Sequence, residues 1–366
     1  MRINIQDVTE KDFSDFCDLP VTDCHTHVNY TDEIFHVEAL ETRYRIDKIN
    51  VLAITSYDEK YKANNPMCLL FKMLFPGRVS AFASLYYPLT GAPHDGMDFL
   101  GQVKRYMNMG FDGMKMMEGK PDTRKRIGIP LDSPVYDLYY EYLEANGIPL
   151  LYHVNDPAIF WDKEHVPAFV IERKWAYLND SFQTKEGIYT EVEGILKKFP
   201  KLKVIFAHFY FMDEEGIERA SDFLDRWPEV SFDLAPGMHF PNFEKNLNAW
   251  RDFFVKYQDR IIFGTDNDYG AARQLIYTIR TVLETDNEIE YWDTLLHGMK
   301  LDRDALDKIY RANFQRYTGI TPKAVNAGLV REDCARMERM AQDSPLKDSL
   351  LKDIEDIKRQ LDKLSL

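Results

Sequence analysis

Two histidines one residue apart, His25 and His27, close the stretch Val21-Thr-Asp-Cys-His-Thr-His-Val28. In an extended strand alternate side chains share a face. Val21, Asp23, His25 and His27 would then point one way and Thr22, Cys24 and Thr26 the other. Two imidazoles on one face at a strand end could grip a single metal ion, since histidine is the commonest metal ligand. The ordinary alternative is a pair of polar residues hydrogen-bonded to neighbours. Other polar residues also fall at or just beyond the ends of apolar runs: Lys115 and Glu118, His153, His208 and Asp266. Each alone has a structural explanation. A strand-end histidine is commonly a satisfied polar side chain, and Asp266-Asn267 could be turn chemistry. Their shared position, together with His25-x-His27, points to one site. Of the other histidines, His36, His94, His165, His239 and His297 have no partner spacing. His239, just after a strand, could still edge the site and touch substrate.

The elements that must position these residues follow a regular pattern. Strand-length apolar runs occur at Val21–Val28, Ile49–Ser56, Val79–Tyr86, Phe111–Met117, Ile148–Val154, Leu202–His208, Val230–Ala235 and Arg260–Asp266. Helical spacing fills Thr31–Asp47, Pro66–Leu74, Gly96–Met109, Pro134–Ala145, Glu186–Phe199, Glu214–Trp227, Phe243–Tyr257 and Ala271–Leu283. Ser133 and Pro134 read as N-cap and first helical residue, and Asn146-Gly147 as the stop. Runs buried on both faces imply a parallel sheet covered by helices. Eight such units predict an α/β fold, a (β/α)8 TIM barrel. Its strand ends converge on one mouth, where active sites lie. No Gly-x-Gly-x-x-Gly or P-loop follows a strand, which lowers the case for a nucleotide-binding fold.

Two segments depart from the repeat. Residues 156–183, after strand five, are too long for an ordinary loop and rich in aromatics, among them Phe160, Trp161, Phe169, Trp175 and Tyr177. They predict a pocket wall or lid, or else an embellishment with its own small core. The expected domains are a barrel over 1–320 and a helical C-terminal extension over 321–366. In the extension Leu350, Ile354, Ile357, Leu361 and Leu364 form an apolar seam that would dock on the barrel or on a second subunit. A homodimer is one expectation from that seam.

The formal net charge of -14 argues against nucleic acid or an anionic membrane as partner and leaves a small-molecule substrate. No apolar run is long enough to span a bilayer, and the polar start does not read as a signal sequence. Cys17, Cys24, Cys68 and Cys334 show no Cys-x-x-Cys spacing and read as reduced thiols of a cytoplasmic protein.

The motifs Thr22-Asp-Cys-His-Thr-His27, Gly110-Phe-Asp-Gly-Met-Lys115, Ile148-Pro-Leu-Leu-Tyr-His153, Lys203-Val-Ile-Phe-Ala-His208 and Ile262-Phe-Gly-Thr-Asp266 resemble the amidohydrolase superfamily. More narrowly, they are similar to the amidohydrolase-related family that includes metal-dependent decarboxylases of the aminocarboxymuconate semialdehyde type. Leu306–Asn313 and Phe314–Tyr317 are similar to that family's closing helix, so the resemblance spans roughly residues 19–320. It implies His25, His27 and His153 as imidazole ligands of one divalent ion and Asp266 as carboxylate ligand. It implies that Asp266 also orients or deprotonates the attacking water, and that His208 transfers its proton. Such nitrogen and oxygen donors suit zinc with an open position, with manganese the alternative. Lys115 is ambiguous. In binuclear relatives a carboxylated lysine on this strand bridges two metals, whereas single-metal relatives also carry a lysine here. A buried ammonium paired with Glu118 is the structural alternative.

The sequence departs from the family at Phe209-Tyr-Phe-Met212, where relatives often have glycines, and at Asn267-Asp268-Tyr269, where they often have proline. Candidate substrate contacts are Arg124 and Arg126 after strand four, with Trp161 and Arg173 in the insertion. The leading expectation is a metal-dependent hydrolase of a C–N or C–O bond in a small carbonyl compound. The alternatives are a non-oxidative decarboxylase of a small unsaturated or aromatic acid and a non-catalytic binding barrel.

Overall fold

The computed structural model describes residues 1–57, 63–87, 97–237, 239–267, 272–291, 294–341 and 347–364. Eight strands form the central sheet: β1 (Thr22–Thr26), β2 (Lys48–Leu52), β3 (Val79–Ser84), β4 (Gly113–Gly119), β5 (Leu150–Val154), β6 (Val204–Phe206), β7 (Val230–Asp233) and β8 (Ile261–Ile262). They lie in the order β8-β7-β6-β5-β4-β3-β2-β1, and every pair is parallel. Helices intervene, so both faces of the sheet are covered, as the continuous apolar runs require. This is the TIM barrel that the sequence predicts. His94, Gly96, Asp268, Tyr269 and Ala271 lie outside the described residues.

The ring is nearly closed between β8 and β1. Cys24 N donates to Phe263 O (3.0 Å), Asp266 N to His25 O (2.7 Å) and His27 N to Asn267 O (3.0 Å). Strand eight is thus shorter than Arg260–Asp266, because beyond Ile262 its contacts with β1 are irregular. The irregularity lies in β1 as well, whose pairing with β2 slips between Asp23 and Thr26. A slip of this kind breaks strict alternation. Cys24, assigned above to the opposite face, joins the barrel interior, while His25 and His27 still reach the mouth.

The interior is packed rather than open. Leu52, Phe82, Leu151, Ile205 and Ile262 fill it, and Phe314 and Tyr317 of the helix Asn313–Thr318 close its foot. Tyr317 Oη reaches Ser231 Oγ (2.8 Å) and Glu229 O (3.1 Å) at the start of β7. Burying each such side chain stabilises the fold by ~1.5–3 kcal/mol. This floor holds the polar layer above it rigid.

Ser133 Oγ accepts from Val135 N (3.4 Å) ahead of a short turn at Pro134–Tyr136, and the helix Asp137–Asn146 stops at Gly147, φ +60°. The insertion meets both expectations for it. Phe160, Val170 and Tyr177 form a small core of their own, and Phe160, Phe169, Arg173 and Trp175 also wall the cavity at the mouth. At the C-terminus, helices Ala327–Ala341 and Lys347–Lys363 pack on each other and on the helix Asn64–Leu74. Leu350, Ile354, Ile357 and Leu361 are buried there, so the seam is covered within the chain and gives no support to a dimer. Among the described residues no helix is long and apolar enough to cross a membrane.

Candidate metal centre

The ends of β1, β5, β6, β7 and β8 bring their polar residues together. Asp266 Oδ1 lies 3.2 Å from His25 Nε2 and 3.1 Å from His27 Nε2. Donor atoms around a tetrahedral ion with ~2.0 Å bonds stand roughly 3.3 Å apart, so this spacing fits a metal. The opposite nitrogens are held from behind. His25 Nδ1 bonds Asp233 Oδ2 (2.8 Å) and His27 Nδ1 bonds Leu52 O (3.0 Å). A carbonyl or ionised carboxylate only accepts, so both Nδ1 atoms carry the proton, and in the neutral rings both Nε2 atoms present lone pairs. The pair aims at one carboxylate oxygen, an arrangement that calls for a positive charge between them: a metal ion, or a proton on His25, whose pKa burial lowers but Asp233 and Asp266 raise overall.

The same accounting applies to His153 and His208. His208 Nδ1 faces Pro236 O (3.0 Å) and Ala235 O (3.3 Å), and His153 Nε2 faces Asn155 O (3.0 Å). Their remaining nitrogens, His208 Nε2 and His153 Nδ1, meet at 3.1 Å. With both rings neutral, these too are facing lone pairs. Burial pushes the pKa of both down, His208 to about 3, so a shared proton does not resolve the contact. His208 Nε2 is 4.0 Å from Asp266 Oδ2. Among the described residues, the group whose donor atoms all lie within 4.8 Å of one another is His25, His27 and Asp266; His153 stands beside it through His208.

Asp233, at the end of β7, escaped the sequence reading although it obeys the same strand-end rule. Its Oδ1 accepts from His208 N (2.8 Å) and Ala235 N (3.0 Å) while Oδ2 holds His25. Burial works to raise its pKa, but the neighbouring His25 outweighs burial and holds the carboxyl below its ordinary value. Burial likewise opposes ionisation of Asp266, and His25 and His27 overcome it.

Lys115 Nζ is buried 3.5 Å from His25 Nε2, with its pKa lowered to about 8 by burial. It does not pair with Glu118. The β4 pairing slips between Met116 and Gly119, and Glu118 does not line the cavity. Burial raises its pKa to about 7, against the neighbouring Tyr87 and Thr55 hydroxyls, which lower it.

The cavity has a volume of about 370 Å³. His25, His27, Lys115, His153, His208 and Asp266 lie at its base, within the size range of small-molecule sites. Arg173 of the insertion lines it. Three other candidate contacts do not. Arg124 is bound to Glu191 through two 2.9 Å bonds, Arg126 lies exposed on the helix Pro121–Ile127, and Trp161 packs on Tyr177 (4.7 Å) with Nε1 on Gln183 O (3.2 Å). His239 is buried behind the site against Phe209 (5.9 Å) and Phe240 (4.3 Å), where apolar packing excludes it from the cavity. Lys120 and Asp156, unremarked in the sequence, do line it, 2.5 Å apart.

Fold and donor set together define a class: a (β/α)8 barrel with a His–His–carboxylate cluster at its mouth whose spacing fits a metal ion. The chain belongs to the amidohydrolase family, whose model, described as Amidohydrolase, matches residues 22–316. No curated protein matches it. Similar solved structures include an uncharacterised TIM-barrel protein from Bordetella bronchiseptica (13% identity, TM-score 0.53, covering 82% of this chain and 99% of that one). Another is 2,6-dihydroxybenzoate decarboxylase from Rhizobium (14%, 0.52, 82% and 98%). A third is the IDCase of Metarhizium anisopliae in its apo form (15%, 0.50, 83% and 98%). At these identities the likeness concerns the fold.

Proposed function

We propose that this protein is a metal-dependent hydrolase of the amidohydrolase type, cleaving a C–N or C–O bond of a small carbonyl compound. The observation that carries the reading is the convergence of imidazole lone pairs on Asp266. His25, His27 and Asp266 would hold one divalent ion, zinc by its donor set, with His153 Nδ1 as a further ligand. When bound, such an ion lowers the pKa of water toward ~7 and polarises a substrate carbonyl.

The chain's own groups supply the rest. Asp233 fixes the His25 tautomer, and Leu52 O fixes that of His27. His208 Nδ1 is anchored on backbone carbonyls, so Nε2, which faces His153 Nδ1 at 3.1 Å, is the atom that would take a proton from the attacking water and return it to the leaving group once His153 holds the ion. The 4.0 Å approach of His208 Nε2 to Asp266 Oδ2 places both acceptors at the same spot. The reading that favours a single ion rests on His208 acting as base; were His208 a ligand, it would join His153 on a second ion.

A second reading, decarboxylation of a small carboxylic acid, draws support from the cations in the cavity and from the decarboxylase activity of the Rhizobium neighbour. A panel of lactones, amides and aromatic acids, assayed for hydrolysis and for CO2, separates the two. Hydrolysis that disappears in His208→Asn while metal content holds is the expected result. CO2 release without hydrolysis, or full activity in the variant, contradicts it.

A further inference from the structure

The insertion carries a residue that the metal chemistry does not use. Three cationic side chains line the described cavity: Lys115, Lys120 and Arg173. Lys115 is buried at the base beside His25. Lys120 is neutralised by Asp156 (2.5 Å), which also accepts from Tyr177 Oη. Arg173, exposed on the insertion, has no carboxylate partner among the described residues. Its guanidinium lies 5.0 Å from the Trp175 ring and 5.9 Å from the Phe169 ring. Cation–π contact with two rings holds the charge beside the aromatic wall and leaves its N–H donors for a planar acceptor.

The remaining wall is apolar and largely aromatic: Phe160, Phe169, Trp175, Phe211 and Tyr291, with Met117 and Leu275. Such a wall receives a flat apolar body and cannot satisfy a charge by itself. Arg173 is thus the cation that the insertion offers to an anionic substrate group, while His25, His27 and Asp266 line the same cavity.

We propose that Arg173 is a specificity-determining residue that binds a carboxylate on a flat, aromatic or conjugated substrate, on the insertion side of the cavity. One guanidinium matches one carboxylate through two parallel hydrogen bonds. This rests on the hydrolase reading for the placement of the reacting group, but the recognition itself does not depend on turnover. Asp156 ties the same wall to the metal site, since its Oδ1 lies 3.5 Å from His153 Nε2.

The test is binding of benzoate and of its neutral isostere benzamide to the metal-replete protein, measured by calorimetry for wild type, Arg173→Met and Arg173→Lys. A hydrogen-bonded charge contact is worth ~1.5–3 kcal/mol, roughly tenfold to a hundredfold in affinity. Benzoate is expected to weaken by that factor in Arg173→Met and to recover in part in Arg173→Lys. Benzamide should bind all three proteins within about twofold. Benzoate affinity that ignores Arg173, equal losses for both ligands, or no benzoate binding to wild type would each overturn the proposal. Metal content is measured on the same samples. Arg173-dependent benzoate binding in protein that holds no metal would sink the hydrolase reading and leave the carboxylate site standing.

Discussion

Asp233→Asn isolates the part of the site that the metal depends on most. Asn keeps the oxygen that accepts from His208 N and Ala235 N, at 2.8 and 3.0 Å in the native protein. The backbone around His208 therefore stays in place. What changes is the group facing His25 Nδ1, an acceptor at 2.8 Å in the native protein and an NH2 donor in the variant. Two donors cannot face each other, so His25 moves its proton to Nε2, the atom aimed at Asp266. The lone pair that would hold the ion is lost. Outer-shell substitutions of this kind cost 10–100-fold in metal affinity, about 1.4–2.7 kcal/mol. Zinc affinity is read by competition with a chromophoric chelator, and urea unfolding of the metal-free protein serves as control. The expected outcome is a loss of tenfold or more in affinity with metal-free stability within ~1 kcal/mol of wild type. A folded variant that binds zinc within twofold of wild type refutes the tautomer argument.

Two further predictions concern the scaffold. His208, Phe209, Tyr210 and Phe211 all have left-handed backbone, with φ of +57°, +55°, +57° and +50°. Each such non-glycine residue costs ~1–2 kcal/mol, and the buried Phe209 ring, packed on Phe232, Phe243, Trp250 and Phe254, offsets that strain. Replacing Phe209 with Ala or Gly loses ~3–5 kcal/mol of packing in either case, but Gly escapes the strain. Phe209→Gly should therefore unfold at higher urea than Phe209→Ala by ~1 kcal/mol, and the reverse order would show that the backbone is not strained there. Glu118, with its pKa raised by burial to about 7 from 4.5, binds more protons folded than unfolded between those values. Its contribution to stability is full below pH 4.5 and falls as pH rises to about 7. Glu118→Gln should remove that fall and gain on wild type between pH 5 and 8; a difference that is constant with pH would mean that Glu118 does not titrate there.

Much of this was legible in the sequence, for definable reasons. Buried parallel strands are continuous apolar runs, so the eight β/α units and the mouth-facing His25, His27, His153, His208 and Asp266 could be placed from period and end position alone. Partners set by the third dimension could not. Asp233 ends a strand like the others, but its role depends on a bond to His25, 208 residues away in sequence. The inward turn of Cys24 and the loss of Glu118 from the mouth both come from register slips, which leave no mark on composition. Phe209–Phe211 read as a departure from a glycine-rich pattern; only the backbone angles show that they occupy the conformation glycine would favour. Arg124, Arg126 and Arg173 were indistinguishable by residue type, and position and pairing separate the one that lines the cavity.

The central claim is that the lone pairs of His25 and His27, with Asp266, hold a divalent ion at the barrel mouth. Anomalous diffraction from crystals of gently purified protein, collected at the zinc edge, tests it most directly. The account predicts one peak within bonding distance of His25 Nε2, His27 Nε2 and Asp266, with His208 Nε2 beside it and unbonded. Two peaks, the second held by His153, His208 and a modified Lys115, would contradict the single-ion reading, and no peak in protein soaked with zinc would contradict the metal centre itself.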